Sequence, residues 1–334
     1  MFTWQLNIKV RIFLLTGLTC CFSVAFAYQL PREQNLTTAD TIIKFPAQPA
    51  KGFNYAYFVR IPKGVDVSKK QFLLVETNNT GDNDTLEFHE KGAYSEAKRY
   101  SLGASLCPGL KLPFLVPAFP RPQTEWKYYT HALDRDVVML KNNTMERLDL
   151  QLIAMIKDAG EQLLKMQLSI HEKILMTGFS ASGTFANRFT LIHPEIVAGV
   201  ACGGINAMPI LPVKKIGSAK LIYPVGIYDY VLIFNDSVHS SSYKEVPQYI
   251  YMGAKDSNDA VLFDDAYGDK ERKIIYRKLG KIMQPDRWKK VQSIYAAESL
   301  NVIFKTYPTI GHETDREVYQ DVRAFFRNII QQYN

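Results

Sequence analysis

The sequence predicts an α/β protein: a mostly parallel central sheet with helices on both faces. Three observations carry this. Short apolar runs alternate with helical patterns along most of the chain. The runs are continuously apolar, as in strands buried on both faces. Residues 174–194 (ILMTGFSASGTFANRFTLIHP) join one such run, a small-residue turn and a helical pattern without a spacer. A chain of 334 residues, 47% hydrophobic and 22% charged, can bury a substantial core in one large domain or two small ones.

Residues 1–27 stand apart. Lys9 and Arg11 precede an apolar segment ending at Ala25-Phe26-Ala27, the pattern of a signal-peptidase site, so a signal peptide cleaved after Ala27 is expected. That run is short for a bilayer span and no second one is long enough, so the mature chain is expected in the periplasm or secreted, without stable membrane insertion. Residues 28–53 read as an irregular N-terminal arm, and 54–334 as one α/β domain.

Within that domain, residues 54–61 (NYAYFVRI) and 71–76 (QFLLVE) are β-rich runs bounded by Pro62, Gly64 and Asn78-Asn79-Thr80-Gly81. A helix is expected between 91 and 106, then a short strand at 114–119 (FLVPAF). Asn143, with Glu146 three residues on, predicts a capped helix whose apolar stripe is Leu148, Leu152, Met155, Ile156 and Leu163. Residues 174–179 form the next strand, and Phe185, Phe189 and Ile192 mark the buried face of a helix stopped by His193-Pro194. Further core strands are expected at 197–202, 248–252 and 302–305. A last helix opens with Thr314-Asp315-Arg316-Glu317, read as a capping box, and buries Val318, Val322, Phe325 and Ile329. Residues 205–245 fit no regular element, and are expected to be an insertion that shapes the pocket or a connection with a small core of its own.

The formal charge of +7 is carried by scattered Lys and Arg, with no nucleic-acid footprint. Of four cysteines, Cys107 and Cys202 remain in the mature chain, as one disulfide or as two buried thiols. No His/Cys grouping has metal-ligand spacing and no glycine loop has a phosphate-binding pattern, so no cofactor is expected. The oligomeric state is not legible.

The turn Gly178-Phe179-Ser180-Ala181-Ser182-Gly183 places a serine between small flanks, where a tight strand-to-helix turn exposes its hydroxyl. A serine hydroxyl needs a base and a carboxylate to orient that base. His312 lies on the loop after the 302–305 strand, where ligands collect in open α/β sheets. The carboxylate should follow the preceding core strand; there Asp256 is the first choice and Asp259 the alternative. The order Ser180, Asp256, His312 and the elbow GFSASG resemble the α/β-hydrolase superfamily from about Asn54 to the C-terminus, and most nearly exported esterases of the polyhydroxybutyrate-depolymerase and feruloyl-esterase type. Ser182 departs from the family's second glycine, and Glu76-Thr77 replaces its usual His-Gly pair. The resemblance implies an α/β-hydrolase fold and a serine hydrolase that cleaves a small or polymeric carboxylic ester. It also implies an oxyanion hole made by the backbone N–H groups of Ala181 and Asn78. A peptidase, an acyltransferase or a non-catalytic binding protein on the same fold remain alternatives. Trp126, Tyr128, Tyr129 and His131 read either as a pocket wall or as a structural aromatic cluster, and His193 as a helix-end cap.

Overall fold

The computed structural model describes residues 38–333, so the expected signal peptide and the first part of the arm lie outside the described residues. The strands are β1 (Thr41–Phe45), β2 (Tyr57–Ile61), β3 (Leu74–Val75), β4 (Phe114–Pro117), β5 (Ile174–Phe179), β6 (Val197–Gly203), β7 (Lys215–Ile216), β8 (Ala219–Lys220), β9 (Gln248–Gly253) and β10 (Val302–Tyr307). The helices are α1 (Leu86–Ser95), α2 (Leu102–Leu110), α3 (Arg135–Val138), α4 (Leu148–Lys165), α5 (Ala181–Ile192), α6 (Tyr230–Phe234), α7 (Ser240–Glu245), α8 (Asp269–Lys278), α9 (Trp288–Ala297) and α10 (Arg316–Tyr333).

Eight strands form one sheet in the order β1-β2-β4-β3-β5-β6-β9-β10. The β1–β2 and β2–β4 pairs are antiparallel and the other pairs are parallel. Helices α1, α2 and α10 cover one face through a core that includes Leu102, Leu106, Phe114, Leu175, Tyr251 and Val322. Helices α4, α5 and α9 cover the other. There Tyr57 donates to Asp158 of α4 at 2.6 Å, Phe119 stacks on Phe185 of α5, and Tyr295 of α9 packs edge-on against Phe304. Because β3, β5, β6, β9 and β10 run in one direction, their carboxyl ends meet at one edge of the sheet, and the loops bearing Asn78, Ser180, Asn206, Asp256 and His312 gather there.

Several local expectations shift. The arm is not wholly irregular, because TIIKF pairs with β2 as an edge strand and turns Ile43 and Phe45 inward. The run at 71–76 contributes only a two-residue strand, with Gln71 bridged separately to Ile170. The helix expected at 91–106 is two, joined through a π turn at Glu96–Tyr100. Asn143 does not cap α4. Its side chain accepts the N–H of Met145 at 2.8 Å, Glu146 accepts that of Asn142 at 2.8 Å, and α4 starts one turn later, after Arg147 at φ 49°. In α10 the capping oxygen belongs to Asp315, which accepts the N–H of Val318 at 2.9 Å, and Phe326, not Phe325, is the fully buried ring.

The segment 205–245 carries the β7–β8 hairpin, α6 and α7, with Leu211, Leu221, Tyr223, Val225 and Tyr230 buried. It is seated against α5 and the stretch before α3: Ile210 N–H donates to Asn187 at 2.8 Å, and Tyr223 donates to Leu133 O at 2.6 Å. No helix among the described residues is long and apolar enough to cross a membrane.

Candidate active site

Ser180 sits between β5 and α5 at φ 61° and ψ −122°, a backbone conformation that L-residues rarely adopt. Close packing enforces it. A Cβ on Gly178 would fall 2.4 Å from Ser182 O, and one on Gly183 would fall 2.6 Å from Gly203 O. The same crowding reaches Gly183, one residue past the buried Ser182. Ser182 contributes a clip: its hydroxyl accepts the N–H of Phe179 at 3.0 Å and donates to Phe179 O at 2.9 Å. The Ser180 N–H donates to Gly203 O at 3.0 Å, which locks the elbow onto β6.

His312 and Asp256 come from neighbouring loops after β10 and β9. Those loops touch, since Lys255 N–H donates to Ile310 O at 3.1 Å and a Cβ on Gly253 would meet Gly311 O at 2.2 Å. The buried Asp256 accepts from His312 Nδ1 at 2.9 Å, and the imidazole leans on the Phe179 ring with centroids 4.8 Å apart. The order serine, acid, histidine read from the sequence thus converges at the sheet edge.

The serine does not hydrogen-bond the histidine directly. Ser180 Oγ lies 3.4 Å from Asn206 Oδ1, and His312 Nε2 lies 3.0 Å from Asn258 Nδ2, which is itself 3.3 Å from Asn206 Oδ1. Sequence reasoning missed both asparagines. The available signals were position alone: Asn206 follows β6 at the same edge, and Asn258 lies two residues past the acid.

Asp259, the alternative acid, is not on the histidine. It forms a two-pronged ion pair with the fully buried Arg287, at 2.7 and 3.0 Å, and caps Val261 N–H at 3.2 Å. Its carboxylate is consumed by a buried charge that pairs with no other anion among the described residues.

The Ala181 N–H opens α5 and has no acceptor among the described residues. Asn78 is fully buried, and its side-chain amide pairs with the Phe119 backbone: Oδ1 accepts the N–H at 3.0 Å and Nδ2 donates to the O at 2.9 Å. His131 donates through Nε2 to the same Phe119 O at 2.9 Å; burial pushes its imidazole down to about 3, so it is neutral. The next N–H, of Asn79, is taken by both oxygens of Glu96 at 3.0 Å. His131 is thus a buried brace. Trp126 and Tyr128 line a separate cavity of about 400 Å³ that holds none of Ser180, Asp256 and His312, and Tyr129 lies under Arg121 at 4.0 Å.

Behind the elbow, Glu76 is buried, with Gly103 N–H donating to it at 2.7 Å and Ser182 Oγ lying 3.4 Å away. Burial pushes its carboxyl up to about 7 against the pull of these hydrogen bonds. A cavity of about 410 Å³ beside the elbow is lined by Glu76, Asn79, Glu96, Phe179, Ser182 and Asp315. Cys107 and Cys202 are both free and buried, so no bridge forms. Cys107 belongs to the same core face as Ala201, whose strand neighbour Cys202 points to the opposite face of the sheet. Burial pushes the Cys107 thiol up to about 12 and raises that of Cys202 as well. His193 donates its backbone N–H to Phe189 O at 2.8 Å, and its ring pairs with Asp149 at 2.9 Å.

No protein family and no curated protein matches this chain by sequence. Solved structures do match. Poly(aspartic acid) hydrolase-1 from Sphingomonas sp. KT-1 superposes with a TM-score of 0.55 at 14% identity, covering 87% of this chain and 98% of that one. LpqC, a poly(3-hydroxybutyrate) depolymerase from Bordetella parapertussis, superposes with a TM-score of 0.54 at 15% identity, covering 87% and 90%. With its mostly parallel eight-stranded sheet, the elbow after β5 and these neighbours, the chain has the α/β-hydrolase fold.

Proposed function

We propose that the protein is an exported serine hydrolase that cleaves a carboxylic ester through an acyl-enzyme. One observation carries the reading: a serine strained into a strand-to-helix elbow shares a sheet edge with a histidine whose Nδ1 is held by a buried aspartate at 2.9 Å. In this reading Ser180 Oγ attacks the acyl carbon while His312 Nε2 takes its proton. The Ala181 and Asn78 N–H groups stabilise the oxyanion. The proton then passes from His312 to the leaving alcohol, and water, activated by the same nitrogen, releases the acid. Asp256 keeps the imidazole in the required tautomer. No cofactor takes part.

Labelling by a fluorophosphonate followed by peptide mapping tests this. The adduct is expected on Ser180 and is expected to vanish in Ser180→Ala; turnover retained by a well-folded Ser180→Ala protein would sink the mechanism. Asp256→Asn is expected to lower kcat by about 10⁴-fold, as when a triad carboxylate loses its hold on the tautomer.

The neighbours named above act, by their names, on a polyester and on poly(aspartic acid), so an amide is the second reading. Matched ester and anilide substrates of one acyl group distinguish the two. Export rests on residues 1–27, and N-terminal sequencing of the protein recovered outside the cytosol is expected to begin at Tyr28.

A further inference from the structure

The groups assigned above as nucleophile and base are each engaged by an asparagine. Asp256 uses its two oxygens on different partners: Oδ2 accepts from His312 Nδ1, and Oδ1 accepts the backbone N–H of Asn258, both at 2.9 Å. One carboxylate therefore fixes the ring and also the residue facing the ring's far side. With Nδ1 protonated toward Asp256, Nε2 carries the lone pair, and Asn258 Nδ2 lies 3.0 Å from it. An amide nitrogen has two hydrogens, and the second is directed at Asn206 Oδ1, 3.3 Å away. That oxygen also accepts the Ser180 hydroxyl at 3.4 Å. Reversing the Asn258 amide would set its oxygen against another oxygen and a lone pair, so the donor orientation is the one that satisfies every group.

The two asparagines differ in freedom. Asn206 is buried, with its backbone N–H on Thr184 Oγ1 at 3.2 Å, and that hydroxyl in turn donates to Ser180 O at 3.0 Å. Asn258 is only half-buried, so part of it faces solvent.

We propose that Asn258 is a positioning residue that occupies the Nε2 lone pair of His312 in the resting arrangement while Asn206 holds the Ser180 hydroxyl, so that nucleophile and base engage only after the Asn258 amide swings away. The proposal rests on the serine-hydrolase reading and deepens it. The step exchanges hydrogen bonds alone: the Asn258 amide leaves His312 Nε2 and Asn206 Oδ1 for water, and the Ser180 Oγ–H leaves Asn206 Oδ1 for Nε2. Of the bonds released, N–H···Nε2 is the one that blocks the base, and removing it should speed engagement of the serine by roughly fivefold.

The test is the rate at which a small fluorophosphonate labels Ser180 in the full-length protein and in Asn258→Ala and Asn258→Asp. Thermal melting and the ¹⁵N NMR signal of the His312 ring are measured alongside. Asn258→Ala is expected to label roughly fivefold faster and to move the Nε2 signal toward that of a nitrogen without a hydrogen-bond donor. Asn258→Asp keeps the shape but sets an anion against Nε2 and favours a proton there, so it is expected to label roughly tenfold slower. Rates that move in the same direction in both variants overturn the proposal. So does an Ala variant that melts like the parent and labels no faster. If Asn258→Ala melts early, Asn258→Asp decides alone, and an unchanged rate overturns the proposal. An unlabelled parent overturns the hydrolase reading together with this one, whereas a labelled parent with insensitive variants overturns this one only.

Discussion

At the elbow, absence of a side chain is demanded at Gly178 and Gly183, and Ser182 fills the position between Ala181 and Gly183 with a hydroxyl that ties both polar groups of Phe179. The two kinds of residue should respond differently to substitution. Gly183→Ala drives a methyl to 2.6 Å from Gly203 O, a backbone atom that cannot swing aside, and is expected to cost about 1–3 kcal/mol or more and to abolish labelling of Ser180. Ser182→Gly loses the clip and the contact with Glu76 and puts a glycine in α5, together about 1–2 kcal/mol, and is expected to remain labelled. Urea melts and the labelling assay read both. Glu76 adds a pH signature. Its carboxyl is raised from 4.5 to about 7 by burial, so between those values the unfolded chain releases a proton that the folded protein keeps. Stability contributed by this group is present below about 4.5, falls as pH rises toward 7 and is flat beyond. Glu76→Gln, which keeps an acceptor for Gly103 N–H, is expected to flatten that decline between pH 5 and 7.5, and a slope equal to the parent's would refute it. The placement of Ser180, Asp256 and His312 at one sheet edge was legible because each follows an apolar run on a loop at a strand's carboxyl end. Asn206 and Asn258 were not, because an asparagine in a loop is also an ordinary turn former and nothing local reveals which distant groups its amide meets.

Among the elements, β3 is two residues long yet lies between β4 and β5, and its continuation is held by a side chain rather than by a ladder. The Asn78 amide offers Phe119 the donor and acceptor that another strand would supply. Asn78→Ala leaves the buried Phe119 N–H without a partner and is expected to cost about 1–3 kcal/mol. It should also slow labelling of Ser180, because the loop bearing the proposed oxyanion donor loses its anchor. His193→Ala, remote from the elbow's hydroxyl, is the matching control and is expected to label at the parent rate. The strands of the parallel part and helix α5 were readable from apolar runs and small-residue turns. Helix starts were less so. Asn143 and Thr314 satisfy a local capping pattern, but Glu146 binds Asn142 instead, and Asp315 supplies the oxygen that Val318 needs. The β1 strand was hidden in a polar, proline-containing arm because its pairing partner, β2, begins twelve residues after it ends.

Across the whole molecule, Arg287 joins parts that the sequence separates widely. Its guanidinium is fully buried, pairs with Asp259 at 2.7 and 3.0 Å, and donates to Ala207 O at 3.3 Å and Lys281 O at 3.0 Å. It thereby fastens the acid-bearing loop, the start of the 205–245 segment beside Asn206 and the stretch before α9. Apolar runs marked the main strands and the gap between two of them located that segment, but not this tie, because a lone arginine in a charged stretch reads as solvated. The two aspartates of one loop should therefore part company. Asp259→Asn leaves a buried cation without its anion and is expected to lose about 3–5 kcal/mol of stability, since the stranded guanidinium is fully buried away from water. Asp256→Asn keeps a partner for the Asn258 N–H and is expected to melt much nearer the parent while turnover collapses. Urea melts beside labelling rates decide between them. A stable Asp259→Asn protein that no longer labels would return the acid role to Asp259, whereas a destabilised one that still labels in its folded fraction leaves Asp256 as the partner of His312.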